Sequence, residues 1–205
     1  MMGHKLIECR NVELFAGGQR LHPAVSLEIT GGTIVHIQGS NGAGKSTLIK
    51  VLAGELKTTQ GQVLYHFDKR SIFYLPQHQT PELQFSISLK EVTALGQTQH
   101  DQPTEESFEW FPKDLGEKSW NEASGGERMR ALLARALTTG STVLMLDEPF
   151  NHLDEQSHPK ILESFENYVS NHNRAIVVVS HAPLRPEPEK LAVYKSWLFA
   201  RRSPS

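Results

Sequence analysis

One stretch constrains this chain more than any other: Gly39-Ser40-Asn41-Gly42-Ala43-Gly44-Lys45-Ser46-Thr47, which fits the phosphate-loop pattern G-x-x-x-x-G-K-[ST] in full. Before it, Thr33-Ile34-Val35-His36-Ile37-Gln38 reads as a buried strand. After it, Leu48, Ile49, Leu52 and Leu56 recur at helical spacing. Strand, glycine-rich loop and helix together are the context the motif needs. Glycines let the backbone curl so that successive N–H groups converge on an anion. The helix beginning there adds its positive end. Lys45 supplies a mobile cation for outer phosphates, and Ser46 a hydroxyl for Mg²⁺. A glycine-rich turn with a chance lysine would not bring these flanks with it.

The chain has 205 residues, enough for one α/β domain with a small insertion, and burying roughly 70% of its unfolded surface gives it a core of its own. Lysine and arginine number 21 against 23 aspartates and glutamates, a net charge of −2 with histidine neutral. That balance is no footprint for nucleic acid. A single cysteine, Cys9, excludes an internal disulfide and suits a reducing compartment. No apolar run approaches the roughly 20 residues that span a bilayer. The opening Met1-Met2-Gly3-His4-Lys5 is not a signal peptide. The expectation is a soluble intracellular protein whose membrane role, if any, comes through a partner.

Residues 5–14 partly alternate and predict an edge strand. Phe15 to Gly18 predicts a turn, and Val25 to Thr30 a second strand. A small antiparallel sheet is expected here. Gln62 to Phe67 and Ile72 to Leu75 read as strands, with Pro76-Gln77 stopping the second. Residues 78–123 carry Pro81, Pro103, Pro112 and a polar run over 97–107, and predict an inserted, mostly helical subdomain. The core resumes at Ser124. Ser124-Gly125-Gly126-Glu127 is a capping box, and Met129, Leu132, Leu133, Ala136 and Leu137 form an apolar stripe behind it. Thr142 to Leu146 predicts a buried strand, 156–170 a helix with Pro159 in its first turn, and Ala175 to Val179 another buried strand. Alternating strands and helices imply a largely parallel sheet covered on both faces, with ligands at the carboxyl ends of the strands. The phosphate loop, Asp147-Glu148 and His181 all fall there.

A carboxylate ending an apolar strand is costly unless it is used. Asp147 matches the Walker B pattern, whose aspartate helps hold Mg²⁺. Glu148 beside it is placed to orient and deprotonate a water. Ser124-Gly125-Gly126 reads on its own either as an ordinary capped helix start or as a second anion site, since a helix start without Cβ atoms offers bare N–H donors.

In their order and spacing Gly39 to Thr47, Gln77, Ala123 to Glu127, Val143 to Glu148, Asn151-His152-Leu153-Asp154 and His181 resemble the motif set of ATP-binding cassette (ABC) ATPases. The resemblance covers nearly the whole chain. It implies an α/β, RecA-like P-loop NTPase fold: one domain over 1–205, with its core in 1–77 and 124–205 and the inserted helical subdomain in 78–123. It implies ATP and Mg²⁺ as cofactors. Lys45 and the amides of Gly39, Ser40, Asn41, Gly42, Ala43, Gly44, Ser46 and Thr47 would hold phosphates. Ser46, Gln77 and Asp147 would serve Mg²⁺ or its waters. Glu148 would be the general base, and His181 would contact the γ-phosphate. Ser124, Gly125 and Gly126 would face the γ-phosphate of ATP held by a second protomer. Asp154 would lie on the loop crossing that interface, and Phe15 would stack on adenine. The family usually has leucine at Ala123 and often glutamine at Glu127. Those two departures predict altered coupling rather than a dead site.

A single cassette of this kind resembles the ATPase subunit of a bacterial transporter. It would dimerise head to tail, dock on a separate membrane permease through 78–123, and reside in the cytoplasm, peripheral to the inner face of the membrane. No nucleic-acid partner and no direct membrane insertion are expected. Phe85, Phe108, Trp110, Phe111 and Trp120 are candidate permease contacts, against the alternative that they form the insert's own small core. The other function considered is a soluble ABC protein acting on ribosomes or DNA. Asn151 to Asp154 fits that group, but the single cassette and slight acidity do not. A small-molecule kinase leaves Ala123 to Glu127 unexplained.

Overall fold

The computed structural model describes residues 3–16, 18–21, 23–77, 86–95, 107–171, 173–184, 186 and 192–199. The chain opens with β1 (Lys5–Val12), the short hairpin strands β2 (Phe15–Ala16) and β3 (Gln19–Arg20), β4 (Val25–Thr30) and β5 (Thr33–Gly39). Helix α1 (Lys45–Ala53), β6 (Gln62–Tyr65) and β7 (Ile72–Leu75) follow. Then come α2 (Leu89–Ala94), α3 (Lys113–Gly116), α4 (Gly125–Thr138), β8 (Val143–Asp147), α5 (His158–Ser170), β9 (Ala175–Ser180) and β10 (Tyr194–Phe199).

Five strands form one parallel sheet in the order β10-β5-β9-β8-β7. Of its central strands β8 and β9 are buried end to end and β5 everywhere but Gln38, and alternate residues enter two different cores. Ile34, Leu144, Leu146, Ile176 and Val178 face α4, α5 and the described part of the insert. Val35, Ile37, Val143, Met145, Val177 and Val179 face α1 and the antiparallel sheet. A period of two is retained even though both faces are apolar, as a parallel sheet covered on both sides requires.

The antiparallel sheet has the order β4-β1-β6. β1 is therefore its middle strand and not the expected edge, because β6, more than fifty residues on, pairs along its free side from Ile7–Tyr65 to Arg10–Gln62. A pairing so distant leaves no local signal. Phe15 and Ala16, expected in a turn, instead form strand β2, paired antiparallel with Gln19–Arg20. β10 lies at the edge of the main sheet, parallel to β5, and was not anticipated. Its burial runs half-buried, four exposed, one buried, with no alternation to read.

Within 78–123 the described residues hold α2, started by a capping box at Ser88 and Glu91, and the single turn α3. Phe108, Trp110, Phe111 and Trp120 are at most 8% exposed and belong to the core shared with α4 and α5. As permease contacts these four are corrected by their burial. Phe85 and all but the last residue of 97–107 lie outside the described residues. Leu56 falls beyond α1, which Gly54 ends in a left-handed cap, and is 44% exposed. Leu95 stands 65% exposed rather than sharing the buried face of Val92.

Candidate functional site

The phosphate loop joins β5 to α1. Gly42 (φ 76°) and Gly44 (φ 99°) take the left-handed conformation that makes its curl. Lys45 is buried. Its ammonium turns back to donate to the carbonyls of Gly39 at 2.8 Å and Ser40 at 3.1 Å. At Gly39 a Cβ would stand 2.1 Å from the carbonyl oxygen of Phe199, so close packing against β10 demands glycine there.

Parallel register brings the remaining groups to the same edge. Ser46 Oγ donates to Asp147 Oδ1 at 3.2 Å. Asp147 is 2% exposed, and burial pushes its carboxyl above the usual carboxylate range. The Ser46 hydroxyl opposes that shift, and the neighbouring Glu148 charge adds to it. Glu148 follows at φ 53°, rare for a residue with a side chain, and its N–H donates to the Val179 carbonyl at 2.8 Å. Its side chain is 8% exposed. Oε2 meets His181 Nδ1 at 3.0 Å, and Oε1 stands 3.9 Å from Lys45 Nζ. Lys45, Ser46, Asp147, Glu148 and His181 thus form one cluster.

Ser124, Gly126 and Asp154 form a second cluster, in a groove completed by Glu127, Arg130 and His152. Ser124 and Gly125 are exposed. Ser124 Oγ accepts from the Glu127 N–H at 3.3 Å, and Glu127 Oε2 accepts from the Ser124 N–H at 2.7 Å, the reciprocal pair expected of a capping box. Lys118 reaches Glu127 Oε2 at 2.8 Å. That bond leads the set that holds the Glu127 carboxyl down at about 2. A Cβ on Gly126 would stand 2.4 Å from the His152 carbonyl oxygen. The second glycine is thus required both for a bare helix start and for close approach to the His152–Asp154 loop. Asp154 accepts from the Ser157 N–H at 2.9 Å and from the Arg130 guanidinium. Arg130 also donates to the Trp110 carbonyl at 3.1 Å, so one side chain binds the insert, α4 and the Asp154 loop. Sequence reasoning missed Arg130 and Lys118. Neither has a pattern of its own, and only their contacts single them out.

Gln77 is exposed two residues beyond β7. The β7–β8 ladder ends at the Leu75–Leu146 pair, so Gln77 lies past the strand ends on the same edge of the sheet as Glu148. Phe15 is 36% exposed on the hairpin, whose neighbour Leu21 lies 3.2 Å from the Cβ position of Gly44. The hairpin therefore sits against the phosphate loop.

A parallel sheet carrying this loop and these carboxylates at its strand ends defines a P-loop nucleoside triphosphatase. A family model described as ABC transporter matches residues 23–151, and the chain belongs to that family: it is an ATP-binding, ATP-hydrolysing subunit. It is 34% identical over 177 residues to the zinc import ATP-binding protein ZnuC of Mannheimia succiniciproducens, covering 86% of this chain and 67% of that one. It is 31% identical over 203 residues to the hemin import ATP-binding protein HmuV of Vibrio parahaemolyticus, covering 88% and 77%. It is 30% identical to the ribosome protection protein VmlR of Bacillus subtilis, covering 86% of this chain but 28% of that one. Among solved structures, an ABC transporter ATP-binding protein from Pyrococcus furiosus superposes with a TM-score of 0.71 at 25% identity, covering 93% and 96%.

Proposed function

We propose that this subunit binds ATP with Mg²⁺ at the phosphate loop, pairs head to tail with a second cassette, and drives a separate membrane permease that imports a metal ion or metal chelate. The observation that carries this reading is the division of the site into two clusters. Lys45, Ser46, Asp147, Glu148 and His181 gather at one, while an exposed, glycine-started helix end stands with Asp154 at the other. One chain supplies both halves of a site, each suited to complete the other in a second copy.

The donor set fits Mg²⁺. Ser46 Oγ and Asp147 Oδ1 are paired hard oxygens, and a carboxylate as buried as Asp147 favours a cation beside it. When bound, the ion offsets phosphate charge. Lys45 exchanges the carbonyls of Gly39 and Ser40 for outer phosphate oxygens. The amides from Gly39 to Thr47 orient the chain of phosphates, and Phe15 stacks on the base. Glu148 Oε1 or Oε2 takes the proton of the attacking water, and His181 holds the γ-phosphate while steadying Glu148. Gln77, past the end of β7 at the entrance to 78–123, carries nucleotide state to the permease. Ser124, Gly125 and Gly126 complete the partner protomer's site with N–H donors and helix dipole.

The metal cargo rests on the import proteins for zinc and hemin that the chain is similar to. Among the described residues no helix is long and apolar enough to cross a membrane. A tagged Glu148→Gln protein, loaded with ATP-Mg²⁺ and recovered from solubilised membranes and from cytosol, tests the reading. A multi-span membrane protein in near-equal amount is expected. Ribosomal proteins with no membrane protein would overturn it in favour of the soluble alternative.

A further inference from the structure

Beneath the turn that carries His181 lies a histidine that the site as described does not use. His36 sits on β5, three residues before Gly39, and is 3% exposed. Its Nε2 is 2.8 Å from Ser180 Oγ. Ser180 Oγ in turn donates to the Ala182 carbonyl. A serine hydroxyl has one hydrogen; with it on Ala182, Nε2–H of His36 is the donor and Ser180 Oγ its acceptor, and the Ala182 backbone also acts on the imidazole directly. Burial pushes the His36 imidazole down to about 4, so near neutral pH the ring carries one proton, which this arrangement places on Nε2.

The geometry gives this relay a purpose beyond filling the core. The ladder between β5 and β9 runs to the Gln38–Ser180 pair and stops. His181 and Ala182 lie past its end. The relay from β5 reaches across that end and ties Ser180 and Ala182, the residues on either side of His181. The His181 side chain is 57% exposed and meets Glu148 Oε2 through Nδ1 at 3.0 Å. Its direction is therefore set largely by how firmly its neighbours are held. β5 also leads directly into the phosphate loop, so His36 couples the loop and the turn through one side chain.

We propose that His36 is a positioning residue for His181, anchoring both of its neighbours, Ser180 by its hydroxyl and Ala182 both through that hydroxyl and directly, so that the imidazole of His181 is held at Glu148 and at the outer phosphate. The proposal rests on the reading of His181 given above.

Ser180→Ala removes the middle of the relay at little cost in volume, and His36→Leu removes its origin. Each is expected to lower kcat about tenfold, the effect of losing one buried hydrogen bond, with KM for ATP within about twofold of wild type. Ser180→Thr, which keeps the hydroxyl, restores the rate. In a His181→Ala background neither substitution costs anything further. The imidazole ¹H–¹³C signal of His181 shifts or broadens in Ser180→Ala. Unchanged turnover in Ser180→Ala, or losses that add fully to those of His181→Ala, would overturn the proposal. Should His181→Ala hydrolyse ATP at the wild-type rate, the role of His181 fails instead. The His181 signal then decides about His36 alone: a shift in Ser180→Ala upholds the positioning, and an unchanged signal overturns it.

Discussion

Lys45, Glu148 and Gly126 show how individual residues carry the site. Lys45 is held by two carbonyls of its own loop, a neutral pair of acceptors that phosphate oxygens outcompete. Glu148 lies between His181 and Lys45, so its charge has partners before any water arrives. Glu148→Gln keeps the shape and part of the bonding but removes the general base that we propose. It is expected to bind ATP normally and to hydrolyse it about 10²–10⁴ times more slowly, as single-turnover phosphate release would measure. Gly126→Ala drives a Cβ into the His152 carbonyl, a backbone atom that cannot swing aside. A loss of about 1–3 kcal/mol in urea denaturation is expected, together with weaker ATP-driven pairing by sedimentation. The phosphate loop, Asp147 and the Ser124 cap were legible because each is a local pattern with a local cause. The ties of Arg130 to Asp154 and of Lys118 to Glu127 were not, because they depend on where separate segments land.

Among the elements, α4 joins a function to a fold. Its first turn is capped by Ser124 and Glu127, and Lys118 holds the glutamate ionised. With the carboxyl held near 2 in the folded protein against an ordinary 4.5, the folded state binds its proton less readily than the unfolded chain. This contribution is complete above pH 4.5 and disappears as the pH falls toward 2. The stability gap between wild type and Glu127→Gln is therefore expected near neutrality and closes over that range, which chemical denaturation at a series of pH values would show. Sequence patterns found α4 and α5, whose burial repeats at 3.6, and the central strands, whose apolar residues run without a break. It misplaced β1 and passed over β10, since each is fixed by pairing with a distant strand and β10 buries little to mark it. The aromatic residues of 108–120 were weighed as surface contacts, and the core they join is assembled from α4 and α5, far along the chain.

In the whole molecule, one parallel sheet separates two cores, and β9 lies at its centre with residues committed to both. Ile176, fully buried, faces the α4–α5 side, and Val177 faces α1 and the antiparallel sheet. Truncating Ile176 to alanine is expected to cost about 2–5 kcal/mol. Because the damage sits in a shared wall, the loss should register equally by far-ultraviolet circular dichroism and by the fluorescence of Trp110, Trp120 and Trp197. Transitions that separate would mean that the two cores unfold independently. The left-handed backbone at Glu148 bears on the same balance. An L side chain there costs about 1–3 kcal/mol that glycine would not incur, and it stands beside the charge of Asp147. Glu148→Gly is thus expected to melt at a higher temperature than wild type while losing turnover. A breeder selecting this protein for heat resistance alone would be led toward discarding its proposed general base, so any such campaign must score ATP consumption in every round.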